Sequence, residues 1–572
     1  MSENGGSKSR VLKIAGVVVA VLVLVAAAVF FVTSVYNPHI TVPGDYRTIQ
    51  EAIDAAEDGD MIIVEPGVYY EQLDFMGKNI TVRSTDPEDP EVVSETVIDG
   101  RKRGSVVTFQ GGEGEGAVLQ GFTLTSGVGT RASVSYEEEG EEVVSEGFFG
   151  GAVFITNSSS PTIMNNNISG NNVDIDGGGI AVKDESNPVI RYNIFEDNTS
   201  YSGAGISVWE SNPIIEENTF RQNRARFLGG AIAVDMDSAP SISGNEMHNN
   251  SSTGGGAISV WKADPIITDN IMRNNASLWT GGGITMVDSS PTIDGNDISR
   301  NTSNNYGGGI AVTGGSTPVI SNNQINRNYS EESGGGIAVI EGSEATIIDN
   351  IISENTVILG GGGLYIHDSS PSISSNNIYG NVVQQDGGGI AILNGSNPEL
   401  IGNIIDENTA GRAGGGMVVG GESAVQLEDN TISGNQAGTG GGIIVQQSAL
   451  NMFRNNLVEN KAQGGSGGGI ILVASSVAEI TGNTFTANEA VEFGGGLVAF
   501  EESIITLMGN DFTDNKAEIG GAFIGFGDAS IDLADPDDNT YSGNIPEDVE
   551  DIEDIEDEEL ESEEGNEDEE NN

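Results

Sequence analysis

The apolar positions of this chain recur on two scales. Over short runs they alternate with small or polar residues, as in Ile206-Ser207-Val208-Trp209, the period-two signature of short strands with one buried face. On the longer scale a small triplet, usually Gly-Gly-Gly, precedes an aliphatic, a small residue and another aliphatic. The third member of that triplet falls at Ala152, Gly179, Gly205, Ala231, Ala257, Gly283, Gly309 and Gly336, then at Gly363, Gly389, Gly416, Gly442, Gly469, Gly496 and Ala522. Neighbouring triplets stand 26 residues apart (Gly179 to Gly205) or 27 (Gly309 to Gly336). Midway through each unit lies a second signature, an Asn, an apolar residue two places on, and a further Asn, as over Asn193–Asn198, Asn296–Asn301 and Asn483–Asn488. Ahead of this array Ile49, Ala52, Ile53 and Ala56 follow the helical spacing and predict an amphipathic helix within Thr48–Glu57. Short strands are predicted at Met61–Val64, Ile80–Arg83 and Val106–Phe109, and a Glu- and Gly-rich stretch, Ser126–Phe149, interrupts the pattern.

A unit of this length with a few short strands cannot bury its apolar face alone. Stacked at about 4.8 Å, each unit covers the next, so the units recur as coils of a solenoid. About fifteen coils predict a rod of about 70 Å before the N-terminal coils are added. Ile180 and Val182, Ile206 and Val208, and Ile232 and Val234 are expected to form aliphatic columns inside it. The recurrent asparagines are expected to form amide ladders at the turns. The fold class expected is all-β: a right-handed parallel β-helix with an N-terminal capping helix, preceded by one transmembrane helix.

The helix of Thr48–Asp60 with the run Ile62–Tyr69 looks like the N-terminal cap of pectin-lyase-like right-handed β-helix proteins. The Gly-Gly-Ala-Ile of Gly229–Ile232 and the Phe-x-x-Asn of Phe220–Asn223 and Phe512–Asn515 resemble polymorphic outer-membrane protein repeats, which occur in surface adhesins. The resemblance spans roughly residues 40–545 and implies the solenoid. It does not imply an activity, because lyases, hydrolases, esterases and inert adhesins share this fold. Polygalacturonase-like members carry Asn-Thr-Asp, Gly-His-Gly and Arg-Ile-Lys, none of which occurs in this chain, and the one adjacent Asp pair is Asp537–Asp538. The three histidines, His39, His248 and His367, are far apart in sequence and predict no histidine cluster.

Two terminal segments depart from the repeat. Val11–Val35 is almost wholly apolar, long enough for a membrane span of about 20 residues. With Lys8, Arg10 and Lys13 at its start, it predicts a transmembrane anchor over 11–35 and a cytoplasmic tail over 1–10, leaving the β-helix outside. A cleaved signal peptide ending near Ala26–Ala28 is the rival reading. The remaining organisation is a cap with irregular coils over 39–149, the regular array over 150–545, and an acidic tail over 546–572. From Glu547 to Glu570 the tail holds 17 acidic residues and no basic one, a composition that predicts disorder.

Charge then narrows the partners. With 23 Lys and Arg against 86 Asp and Glu, the net charge is −63, which excludes a nucleic-acid binder. Divalent cations, cationic partners or a saline medium suit it better. The absence of cysteine removes disulfides, thiolate metal sites and cysteine nucleophiles.

Candidate chemistry is local. The outward position after the second aliphatic carries Lys183, Trp209, Asp235 and Trp261 in four successive coils, with Asp184, Glu210, Met236 and Lys262 beside them. Trp279 lies nearby, and Tyr201, Phe227 and Tyr306 precede the triplets of the same region. Stacking sets Trp209 and Trp261 about 9.6 Å apart, close to a disaccharide repeat. Aromatic faces with carboxylates between them predict a glycan-binding patch of Trp209, Trp261, Trp279, Lys183, Asp184, Glu210, Asp235 and Lys262. The function expected is a membrane-anchored surface binding or adhesion module, with polysaccharide as partner. A polysaccharide lyase or glycoside hydrolase at the same coils is one alternative, and a purely structural envelope component is another. A calcium-dependent lyase would draw its ligands from Asp184, Glu210, Asp235 and Asp237, with Lys183 or Lys262 as base. The competing reading of the aromatics is that they cover the lateral surface or an insertion packed on it.

Overall fold

Each coil folds as its alternation predicts. In the coil that carries Trp209, strands run at Ile206–Trp209, Ile214–Glu216 and Thr219–Arg221, with a two-residue strand at Arg224–Ala225. Every one of them pairs in parallel with its equivalent in the next coil, as in Ile206↔Ile232 and Val208↔Val234. The computed structural model describes residues 39–138, 141–535 and 538–546. Over that length the Ile214–Glu216 type of strand builds a 19-stranded parallel sheet, and the short fourth strand a 12-stranded one. Two further long parallel sheets contain the strands equivalent to Ile206–Trp209 and Thr219–Arg221.

The core is the predicted set of columns. Ile180, Ile206 and Ile232 are fully buried and stacked in register, as are Val208 and Val234. Phe195 and Phe220 lie face to face inside, with ring centroids 4.6 Å apart, and Phe485 and Phe512 repeat the stack at 4.5 Å. The amide ladders are present at both Asn positions. Asn193 Nδ2 donates to the carbonyl of Ile163 below (2.8 Å) and to Asn218 Oδ1 above (3.1 Å), while Asn193 Oδ1 accepts from the backbone N–H of Asn166 (3.0 Å). A third ladder, of buried serines, joins them: the Ser186 N–H donates to Ser211 Oγ and the Ser211 N–H to Ser238 Oγ. Glycine is required where the turn enters the triplet. Gly307 has φ +64°, and a Cβ there would stand 2.2 Å from the Ile310 carbonyl oxygen.

The cap helix runs Ile49–Ala55, and Thr48 Oγ1 accepts from the Glu51 N–H at its start. A second helix, Pro90–Glu95, was not expected. The interruption is an antiparallel hairpin, Thr130–Glu138 with Glu141–Phe149, which lies against the side of the solenoid.

One expectation is corrected. The predicted membrane span over 11–35 falls outside the described residues, as do the tail over 1–10 and the acidic segment from Glu547. Among the described residues no helix is long and apolar enough to cross a membrane. The two helices have 7 and 6 residues, where a span takes about 20. Among the described residues the fold is a β-solenoid with no helix able to cross a membrane, so the expected transmembrane helix and the single-pass placement, with the N-terminus cytoplasmic and the β-helix outside, are not supported.

Candidate functional site

The parallel register brings part of the predicted patch into one row. Trp209 pairs with Asp235, Asp235 with Trp261, and Trp261 with Val287. Their side chains point outward because the flanking valines, Val208, Val234 and Val260, point into the core. Opposite this row runs a second one, formed by the residues just before the triplets. There the Tyr201 N–H donates to the Ile175 carbonyl (2.7 Å) and the Phe227 N–H to the Tyr201 carbonyl (2.8 Å). The Tyr201 and Phe227 rings stack at 5.3 Å.

Between the two rows lies a groove of about 500 Å³, lined by Tyr201, Phe227, Trp209 and Trp261 with Asp176, Asp235 and Val134 of the hairpin. Both carboxylates are sunk into it, with 7% of Asp176 and 3% of Asp235 exposed. Asp176 Oδ1 and Asp235 Oδ1 have no hydrogen-bond partner within the protein. Burial pushes the Asp176 carboxyl up to about 7, against hydrogen bonds from Ser202 that favour the ionised form. Burial, and then the negative charge of Asp176, holds Asp235 well above the usual carboxylate range. The pair therefore retains a proton near neutrality where an exposed Asp would not.

The other predicted residues are distributed differently. Lys183 is buried, because its Nζ donates to the Ser133 carbonyl of the hairpin and pairs with Asp184 at 3.4 Å. It fastens the insertion and does not face the groove. Asp184 and Glu210 line a neighbouring cleft of about 450 Å³ with Lys183, the hairpin and one edge of Trp209. Trp209 itself is 8% exposed and packs with Val134, Phe149 and Phe154, so for this residue the reading of packing beneath the insertion also holds. Lys262 reaches back over the Trp261 ring, 5.1 Å from its centroid. Trp279 is 63% exposed and stands outside the groove lining. Asp237 sits in a turn at φ 50°, its N–H donating to the Lys262 carbonyl. Among the described residues no group of three or more His, Cys, Asp or Glu is placed to hold a metal ion. The calcium set of Asp184, Glu210, Asp235 and Asp237 is therefore not assembled.

Sequence reasoning did not find Asp176. It occupies the place before its triplet that Ser202, Leu228 and Gly254 hold in the next coils, and only the recurrence of that place, not its chemistry, is visible in the chain.

A family model described as a right handed beta helix region matches residues 121–224, 151–303 and 230–410. Together these overlapping stretches cover just over half of the 572 residues. A second model, periplasmic copper-binding protein (NosD), matches residues 363–522. That segment does not fit copper. Its only imidazole is His367, and of its thioethers Met417 and Met452 are buried in the core while Met508 lies on the outer surface. Copper sites gather such donors around one point. A comparison with curated proteins finds no match. Among solved structures the chain is similar to the PL6 family alginate lyase AlyGC in a mutant form, at 14% identity, covering 88% of this chain and 99% of that one with a TM-score of 0.24. It is also similar to the A-module of the mannuronan C-5 epimerase AlgE6 of Azotobacter vinelandii, at 11% identity, covering 86% and 93% with a TM-score of 0.18. At these TM-scores neither likeness bears on what this chain does.

Proposed function

The chain belongs to the right-handed β-helix family, and on that scaffold we propose that it is a carbohydrate-binding solenoid whose polysaccharide lies in the groove between the Trp209–Asp235–Trp261 row and the Tyr201–Phe227 row. The observation that carries this reading is the co-location of aromatic faces and two buried carboxylates in one open groove. Sugar rings present apolar faces that stack on aromatic side chains, and their hydroxyls donate to the carboxylate oxygens that the protein leaves without partners. Ligand sites of this kind are concave and apolar, with a few convergent polar groups. The array elsewhere holds its coil length, so the groove is a local feature of a uniform rod.

The test is a glycan array probed with the full-length protein, with products assayed in parallel. Retention that is lost in Trp261→Ala with the melting temperature preserved supports binding at this groove. Retention unchanged in that variant overturns it. The raised Asp176–Asp235 pair also favours a second reading, glycosidic-bond cleavage by carboxyls acting as proton donor and acceptor. Shortened or unsaturated sugar products would establish that reading in place of simple binding.

A further inference from the structure

Resting on the glycan reading and deepening it, we propose that the ligand presents a cationic amine to Asp176 and Asp235, an ammonium group carried by an amino sugar. Another deeply buried carboxylate shows what such a group needs. Glu113, 1% exposed, is held by three donors: the Gly77 N–H at 2.8 Å, the Gly111 N–H at 3.0 Å and Ser159 Oγ at 2.8 Å. Asp176 and Asp235 are buried nearly as deeply, yet each keeps an oxygen with no partner, and both residues line the groove. A buried carboxylate left so is costly unless something outside the protein completes it.

The walls specify what that group is. Tyr201, Phe227, Trp209 and Trp261 surround the two acids, and aromatic faces joined to carboxylates attract an ammonium by its charge as well as its N–H donors. No basic side chain lines the groove. Two neighbouring cations are engaged elsewhere, Lys262 over the Trp261 ring and Lys183 in the hairpin contact. The other charged neighbours, Asp184 and Glu210, are acidic and belong to the adjoining cleft. A neutral sugar hydroxyl satisfies an oxygen but leaves the charge uncompensated, and a uronate is repelled. A cation does both, and its binding favours loss of the proton that the pair retains.

The test is calorimetric titration of the full-length protein at pH 8 with three probes: tetramethylammonium, an N-trimethylated chitosan oligomer, and the neutral N-acetylated oligomer of equal length. The expected result is that the trimethylated oligomer binds about tenfold more tightly than the acetylated one, or about 1.4 kcal/mol. Asp176→Asn with Asp235→Asn should abolish that difference, because the cationic oligomer loses far more affinity than the acetylated one. If the acetylated oligomer binds as tightly as the cationic one, the ammonium inference falls and the glycan reading stands. If tetramethylammonium binds and neither oligomer does, the carboxylates take an ammonium that no sugar carries, and the amino-sugar inference falls with the glycan reading. If no probe binds, both fall. Should the double variant not fold, wild type is titrated at pH 5 and pH 8. Both cationic probes keep a permanent charge, so only the protein titrates, and an affinity that does not rise with pH overturns the inference.

Discussion

Asp176 and Asp235 couple the groove to the stability of the coils that form it. Burial raises Asp176 to about 7 from an ordinary 3.8, and burial with the Asp176 charge raises Asp235 in the same direction. The folded state therefore holds protons that the unfolded chain releases. Stability from this source is complete below pH 3.8 and declines as pH rises through about 7. Within that window each group lowers stability by at most about 1.4 kcal/mol per pH unit. An Asn at position 176 cannot ionise and escapes the decline. Asp176→Asn is accordingly expected to melt at a higher temperature than wild type at pH 8, with the gap closing towards pH 5. Thermal melts at the two pH values decide it, and a gap of equal size at both would show that the acid's burial is not the cause.

At the scale of single elements, the hairpin and the ladders make separate contributions. Lys183 ties the hairpin to the solenoid through the Ser133 carbonyl and Asp184. Lys183→Met is expected to strand that carbonyl, at about 1–3 kcal/mol, and to loosen the hairpin while the coils beneath stay folded. Hydrogen exchange read separately over 130–134 and over 206–209 tests this, since loss of protection in both segments would make the hairpin part of the core. The ladders are cooperative in a different sense. Asn301 Oδ1 accepts from the Asn275 N–H (2.9 Å) and Nδ2 (3.1 Å), while its own Nδ2 donates to the Met272 carbonyl (2.9 Å) and Asn328 Oδ1 (3.1 Å). Asn301→Ala removes four partners from buried groups, each worth about 1 kcal/mol or more, and should depress the melting temperature sharply. Asn304→Ala, at an exposed turn position, should leave it within error. Equal effects would mean that the amide ladder is not what holds adjacent coils together. These elements differ in how far the chain announces them. The coils and Asn ladders are legible because a fixed period converts sequence spacing into spatial stacking, and Trp209, Asp235 and Trp261 are aligned by the same rule. The hairpin breaks the period, so nothing in its sequence shows that Lys183 will be buried beneath it or that Trp209 will be covered. Asp176 is hidden for the complementary reason. It stands where identities vary from coil to coil, and its partner across the groove, Asp235, lies 59 residues later on a different sheet row.

At the scale of the whole molecule the dominant feature is charge, and it makes this rod respond to salt unlike a protein held by surface ion pairs. Pairs between successive coils do exist, among them Arg221–Glu196 at 2.9 Å, Arg327–Glu354 at 2.7 Å and Lys461–Glu489 at 3.0 Å. They are largely solvent-exposed, and such pairs contribute about 0–1 kcal/mol each. With 86 acidic residues against 23 basic ones, most carboxylates cannot find a basic partner. Stacking at about 4.8 Å per coil brings many of them within the screening distance of about 10 Å at 0.1 M salt. Folding thus compresses unpaired negative charge along a line, and the uncharged core columns and amide ladders have to outweigh that repulsion. Raising the salt to 1 M shortens the screening distance to about 3 Å, which weakens both the exposed pairs and the far more numerous repulsions. The repulsive term is the larger, so the melting temperature is expected to rise between 0.05 M and 1 M sodium chloride. A fall over that range would mean that the inter-coil ion pairs outweigh the excess charge. Because each coil touches only its neighbours, the effect should spread along the array rather than concentrate at one end. Hydrogen-exchange protection gained with salt in coils as distant as 206–221 and 470–486 would follow from that.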